Sequence, residues 1–138
     1  MKTKKLIITL LLLIGGASLL AGCNLKKSKP NKVKELEFTV VEDADLPEKL
    51  LESINEKKSQ PFKKTFSDDE YLYIVVGYGE KPTGGYSISV DEFYLTDNAI
   101  YVNTNLIGPS QEEFVSNAVT YPYVVIKTEF TDKRVLFN

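Results

Sequence analysis

The run Tyr71-Leu-Tyr-Ile-Val-Val-Gly-Tyr78 is apolar on both of its alternating faces and rich in β-branched and aromatic residues. Successive side chains of an extended chain point to opposite sides, so such a run predicts a central strand and makes a sheet the organising element. The chain has 138 residues and one Cys, which cannot close an internal disulfide. One domain held by its own apolar core is therefore expected.

The flanking patterns fill in that sheet. Leu36, Phe38 and Val40 alternate with Glu37 and Thr39, the period of a half-buried strand. Asp45 and Glu48 have the spacing of a capping box, Pro47 suits a first helical turn, and Leu46, Leu50, Leu51 and Ile54 recur at helical intervals before Lys57 and Lys58. The spacing predicts a helix over 46–58 covering an edge or face of the sheet, followed by a loop from Ser59 to Ser67.

Beyond Gly79 to Gly85, residues Tyr86, Ile88 and Val90 alternate until the phase changes at Glu92-Phe93-Tyr94, as a β-bulge would make it do. Thr96-Asp97-Asn98 supplies turn residues for a hairpin into Ile100 and Val102. After Gly108-Pro109, Ser110 with Glu113 repeats the capping-box spacing, and Phe114, Val115 and Ala118 suit one or two helical turns. Tyr123 to Phe130 reads as a long strand that Asp132-Lys133 turns back into Val135-Leu136-Phe137. The expectation is an α+β, mainly β domain over residues 35–138: an antiparallel, sandwich-like arrangement of about six strands, one amphipathic helix near its start and a short second helical turn.

The first residues read as an address. Lys2, Lys4 and Lys5 precede an apolar run from Leu6 to Ala21 that is shorter than the roughly 20 residues of a spanning helix and ends in small residues. Leu20-Ala21-Gly22-Cys23 resembles the lipobox of bacterial lipoproteins. That resemblance implies a signal peptide over 1–22 and lipid attachment at Cys23 as the mature N-terminus. Several acyl chains together give stable attachment, so the protein is expected on the extracytoplasmic face of the cell membrane.

Charge separates a tether from the domain. Lys26, Lys27, Lys29, Lys32 and Lys34 occur without an acid between residues 24 and 34, whereas residues 35–138 hold nine bases and nineteen acids. The basic stretch, with Pro30 and no apolar period, reads as a flexible tether over 23–34, either a soluble spacer or one whose lysines attract anionic headgroups. An acidic body repels nucleic acid, which is not expected as a partner.

Chemistry is limited by composition. Without histidine, catalytic Ser-His-Asp and Cys-His pairs and His-ligated zinc are excluded. Asp68-Asp69-Glu70 lacks the spacing of an EF-hand, and Glu112-Glu113, adjacent on a helix, would point about 100° apart, unlike a glycosidase pair. No catalytic residue, metal site or cofactor is predicted; the protein is expected to bind and not to convert.

Two loops stand out. In Gly79-Glu-Lys-Pro-Thr-Gly-Gly-Tyr86 the glycines miss the spacing of a phosphate loop. Pro82 fixes φ and Gly84 and Gly85 permit positive φ, giving a shaped turn that presents Thr83 and Tyr86. In Asn117-Ala-Val-Thr-Tyr-Pro-Tyr123 an aromatic, proline-containing segment leads into the late strand. Taken alone, the first loop also reads as an ordinary turn and the two tyrosines as core or rim aromatics; taken together, Thr120, Tyr121, Pro122 and Tyr123 are candidate binding residues with Pro82, Thr83, Gly84, Gly85 and Tyr86.

The first loop, followed by Thr120-Tyr-Pro-Tyr-Val-Val125, resembles the PrcB C-terminal domain family. That family is named for a lipoprotein subunit of a bacterial surface protease complex that supports the stability and activity of its protease. The resemblance covers about residues 71–129 and implies an extracytoplasmic, non-enzymatic accessory domain, with Pro82, Thr83, Gly84, Gly85, Tyr86 and Pro122 at matching positions. Pro82 to Tyr86 is also similar to the NPTTGY loop of chagasin-type protease inhibitors, although Lys81 replaces the Asn, Gly84 stands for the second Thr, and a helix at 46–58 has no place in that fold. Three functions follow as expectations: docking on a protein such as a surface protease, protease inhibition, and capture of a glycan or peptide in an aromatic-lined pocket.

Overall fold

The computed structural model describes residues 29–138, so the expected signal peptide and Cys23 lie outside the described residues. Among the described residues eight strands form two four-stranded sheets. One sheet has the order β1 (Lys34–Glu35), β5 (Ser87–Leu95), β6 (Ala99–Ile107), β8 (Arg134–Phe137). The other has the order β2 (Thr39–Val40), β7 (Tyr123–Glu129), β4 (Tyr71–Tyr78), β3 (Pro61–Ser67). A helix, α1 (Glu48–Lys57), lies against the second sheet.

The two apolar faces of β4 explain this layering. Leu72, Ile74 and Val76 pack with Val124 and Ile126 of β7 against Phe93, Ile100 and Val102 of the other sheet. The alternate residues Tyr73 and Val75, with Val125, receive Leu50 and Ile54 of α1. Both helix side chains are fully buried, and each contributes about 1.5–3 kcal/mol by leaving water. The mainly β sandwich with one substantial helix thus stands as the sequence predicts, and the bulge appears as a register shift between Val90 and Glu92.

Several elements differ from expectation. The segment expected as a loop up to Ser67 holds β3, paired with β4 along its whole length. Phe62 and Phe66 pack on the helix side, and the Phe62 ring lies over Gly77, where a Cβ would sit 2.3 Å from it. Pro61, Lys63 and Lys64 make β3 a protected edge, which dilutes the strand signal. The expected single strand at 36–40 is split, because the chain crosses between sheets: Lys34 and Glu35 pair with Leu95 and Tyr94, and Thr39 and Val40 pair with Lys127 and Ile126. Lys34 thus stands in a strand and not in the expected tether.

The helix begins two residues later than predicted. Its expected capping box does not form, since Asp45 belongs to a 3-10 turn (Asp43–Asp45) and Pro47 occupies the cap without a side-chain hydrogen bond. No helical turn forms after Pro109. The final strand is not the expected hairpin partner of β7: β8 crosses to the other sheet and runs parallel to β6. Among the described residues no helix is long and apolar enough to cross a membrane.

Candidate functional site

Strand pairing brings the two loops together at one end of the sandwich. Tyr78 and Tyr123 flank them at the ends of paired strands: Gly77 of β4 is opposite Tyr123 of β7, and the Tyr78 N–H donates to the Pro122 carbonyl at 3.0 Å. From there the loops run side by side. Lys81 and Thr120 form an isolated antiparallel bridge with hydrogen bonds of 2.8 and 2.9 Å in both directions. The Thr120 hydroxyl donates to the Thr83 carbonyl at 2.6 Å, and the Gly84 N–H donates to the Ser116 carbonyl at 2.9 Å.

The glycines have separate roles at this turn. Gly85 has φ +87°, and a Cβ there would lie 2.6 Å from Val115 Cγ1 and 3.0 Å from Pro109 Cβ. Only glycine meets both demands. Gly84 is not among the positive-φ glycines, and a Cβ there would have room beside Ser116. Thr83 turns its hydroxyl onto the Gly84 carbonyl at 3.0 Å, while Pro82 is exposed and Tyr86 half-buried alongside Gly108.

The structure therefore unites Pro82, Thr83, Gly84, Gly85, Tyr86 and Thr120. It directs the two late tyrosines elsewhere. Tyr123 packs with the α1 cluster and donates its hydroxyl to Asp43 at 2.5 Å. Burial, with the Asp43 carboxylate as the second cause, pushes its phenol well above the ordinary range. Tyr121 lies under the Lys58 ammonium, 5.4 Å from its ring centroid, in the geometry of a cation–π contact.

Sequence reasoning missed the wall behind the turn. Pro109, read as a strand breaker, supplies it together with Val115 and Ser116 of the segment expected to be helical. Ser110 and Glu113 do reciprocate, the Glu113 N–H donating to the Ser110 carbonyl and the Ser110 N–H to Glu113 Oε1, but they close a turn instead of starting a helix. Phe114 then points outward, with its side chain fully exposed. The capping signal was legible; its tertiary use was not.

An open groove of about 640 Å³ lies apart from these loops, over Tyr71, Lys127 and Phe38. The Lys127 ammonium sits 3.8 Å from the Tyr71 ring centroid, which occupies the aromatic floor from within. Among the described residues no cluster of His, Cys, Asp or Glu has the arrangement of a metal site.

Residues 72–129 match the family model for the PrcB C-terminal domain. No curated protein and no solved structure matches the chain. The match runs from β4 to β7 and includes both loops and the bridge between them. Over residues 72–129 the chain is thus similar to the PrcB C-terminal family.

Proposed function

We propose that the chain is a lipid-anchored extracytoplasmic lipoprotein whose domain is a non-enzymatic docking module for a surface protease. The observation that carries this reading is the joining of the 79–86 and 116–122 loops by the Lys81–Thr120 bridge and the Thr120–Thr83 hydrogen bond. Two sequence-distant loops fixed against each other form a preorganised surface, and preorganisation reduces the ordering cost of association. The PrcB C-terminal match supports a protease-associated role, and the lipobox resemblance at Leu20 to Cys23 supports the anchor.

Two measurements test the two halves of this proposal. Cys23→Ala should move the protein from the membrane to the soluble fraction; unchanged membrane partition removes the lipid anchor. Tyr86→Ala and Pro82→Ala should reduce recovery of a protease complex crosslinked in intact cells while leaving the melting temperature of the domain within a few degrees. Recovery equal to the parent protein would remove docking through these loops. Dose-dependent loss of activity in a cysteine or serine protease treated with the purified protein would assign inhibition, the reading that the exposed Pro82 also favours.

A further inference from the structure

We infer that Phe114 is the anchor side chain of the docking surface and that it inserts into an apolar pocket, rimmed by Lys or Arg, on a folded partner protein. This inference rests on the docking reading and specifies its partner chemistry. The Phe114 side chain has a relative exposure of 106%, against 38% for Phe38 and 47% for Phe130. A fully hydrated benzyl group is costly to present to water and is the type of side chain that dominates interfaces when buried.

Its backbone is held on both sides. Ser110 and Glu113 close the preceding turn, and the following residues are pinned where Ser116 accepts from Gly84 and Val115 abuts Gly85. Phe114 is thus an exposed aromatic on a fixed support. Val119 and Ile107 add exposed apolar surface at the same end, with relative exposures of 49% and 46%.

Charge selects the occupant. Residues 108–126 contain Glu112 and Glu113, on the N-terminal side of Phe114, and no Lys or Arg; the lysines that reach this segment, Lys81 and Lys58, meet it farther along, at Thr120 and Tyr121. A pair of carboxylates beside the aromatic opposes insertion into an anionic bilayer and favours a pocket with a cationic rim, through complementary potentials.

The test places p-benzoylphenylalanine at 114 or at 82 in the full chain, irradiates intact cells, maps the linked peptide, and purifies the protein found. A link from position 114 into an apolar pocket bordered by Lys or Arg is expected. Phe114→Ala should then weaken binding to that purified protein at least about 30-fold. Phe114→Leu should retain more affinity, and Glu112→Lys, which leaves the Ser110–Glu113 turn intact, should slow association and flatten its salt dependence. Because Phe114 packs on nothing, the melting temperature of Phe114→Ala should equal that of the parent. A partner linked from position 82 whose affinity is unchanged by Phe114→Ala overturns the anchor and leaves the docking reading standing. Adducts with lipid or with a second copy of the chain overturn the stated partner, and no protein adduct from either position overturns both readings.

Discussion

The Thr120 hydroxyl reaches the Thr83 carbonyl at 2.6 Å, across 37 positions of sequence, and it does so beside the Lys81–Thr120 bridge. One side chain therefore ties the second loop to the apex of the first. Thr120→Val keeps the shape and removes the donor, leaving a half-buried carbonyl without this partner. A destabilisation of about 1 kcal/mol is expected, together with faster amide exchange at Lys81 and Gly84. Thr120→Ser should restore protection at both amides. Equal exchange in parent and Val variant would show that the backbone bridge alone holds the loops.

Gly84 and Gly85 are adjacent and should respond in opposite ways. Gly85→Ala meets both a positive φ and two close neighbours, Val115 Cγ1 and Pro109 Cβ. Strain and overpacking together should cost about 1–3 kcal/mol. At Gly84 an added Cβ would meet Ser116 Cβ at 3.6 Å, an ordinary contact. Gly84→Ala should be neutral to stabilising by about 0.5 kcal/mol, because it restricts the unfolded chain. Chemical denaturation of the two variants distinguishes the positions.

The sheet was legible where local pattern and tertiary role coincide. Tyr71 to Tyr78 announced a strand with two apolar faces, and the fold supplies a sheet on one and α1 on the other. The phase change near Glu92 announced the bulge. Legibility failed where the deciding partner is distant in sequence. Pro61 to Ser67 became a strand because β4 offers a complete edge and Gly77 leaves space for Phe62, neither of which is visible within the segment. Val135 to Phe137 had a turn before it, yet the open edge of β6 captured it. At the site, the loop glycines marked a shaped turn, while its alignment with Ser116 and Thr120 depended on β4–β7 register. Tyr121 and Tyr123 stood as candidate binding residues because nothing local shows that Tyr123 packs with the α1 cluster or that Lys58 lies over Tyr121.

Asp68 gives the β3–β4 connection a defined acid dependence. Its Oδ1 accepts from the Tyr71 N–H at 2.7 Å and the Glu70 N–H at 2.8 Å. These bonds, Tyr71 first and Glu70 second, hold its carboxyl below the ordinary value of 3.8. A depressed native pKa means that the unfolded chain takes up the proton first as pH falls. The contribution of Asp68 is therefore present above about pH 3.8 and is lost as pH drops through the lower native value. Asp68→Asn should be less stable than the parent at neutral pH, and the difference should narrow in acid. A difference independent of pH between neutrality and pH 3 would refute the charge-assisted turn.

Tyr123 gives the opposite dependence at the alkaline end. Its hydroxyl donates to Asp43, and burial first, then that carboxylate, raises its pKa above the ordinary value of 10.0. In the unfolded chain this phenol ionises near pH 10; in the fold the proton stays on. The contribution of Tyr123 is thus full below pH 10 and declines as pH rises toward the native value. Tyr123→Phe loses the bond to Asp43 and carries no ionisable proton. The parent should be the more stable protein at neutral pH, and its advantage should shrink above pH 10. Phenolate absorbance supplies an independent readout, because the late step that belongs to Tyr123 should be absent from the Phe variant. An identical late amplitude in parent and Tyr123→Phe would remove the Asp43-bonded phenol as its source.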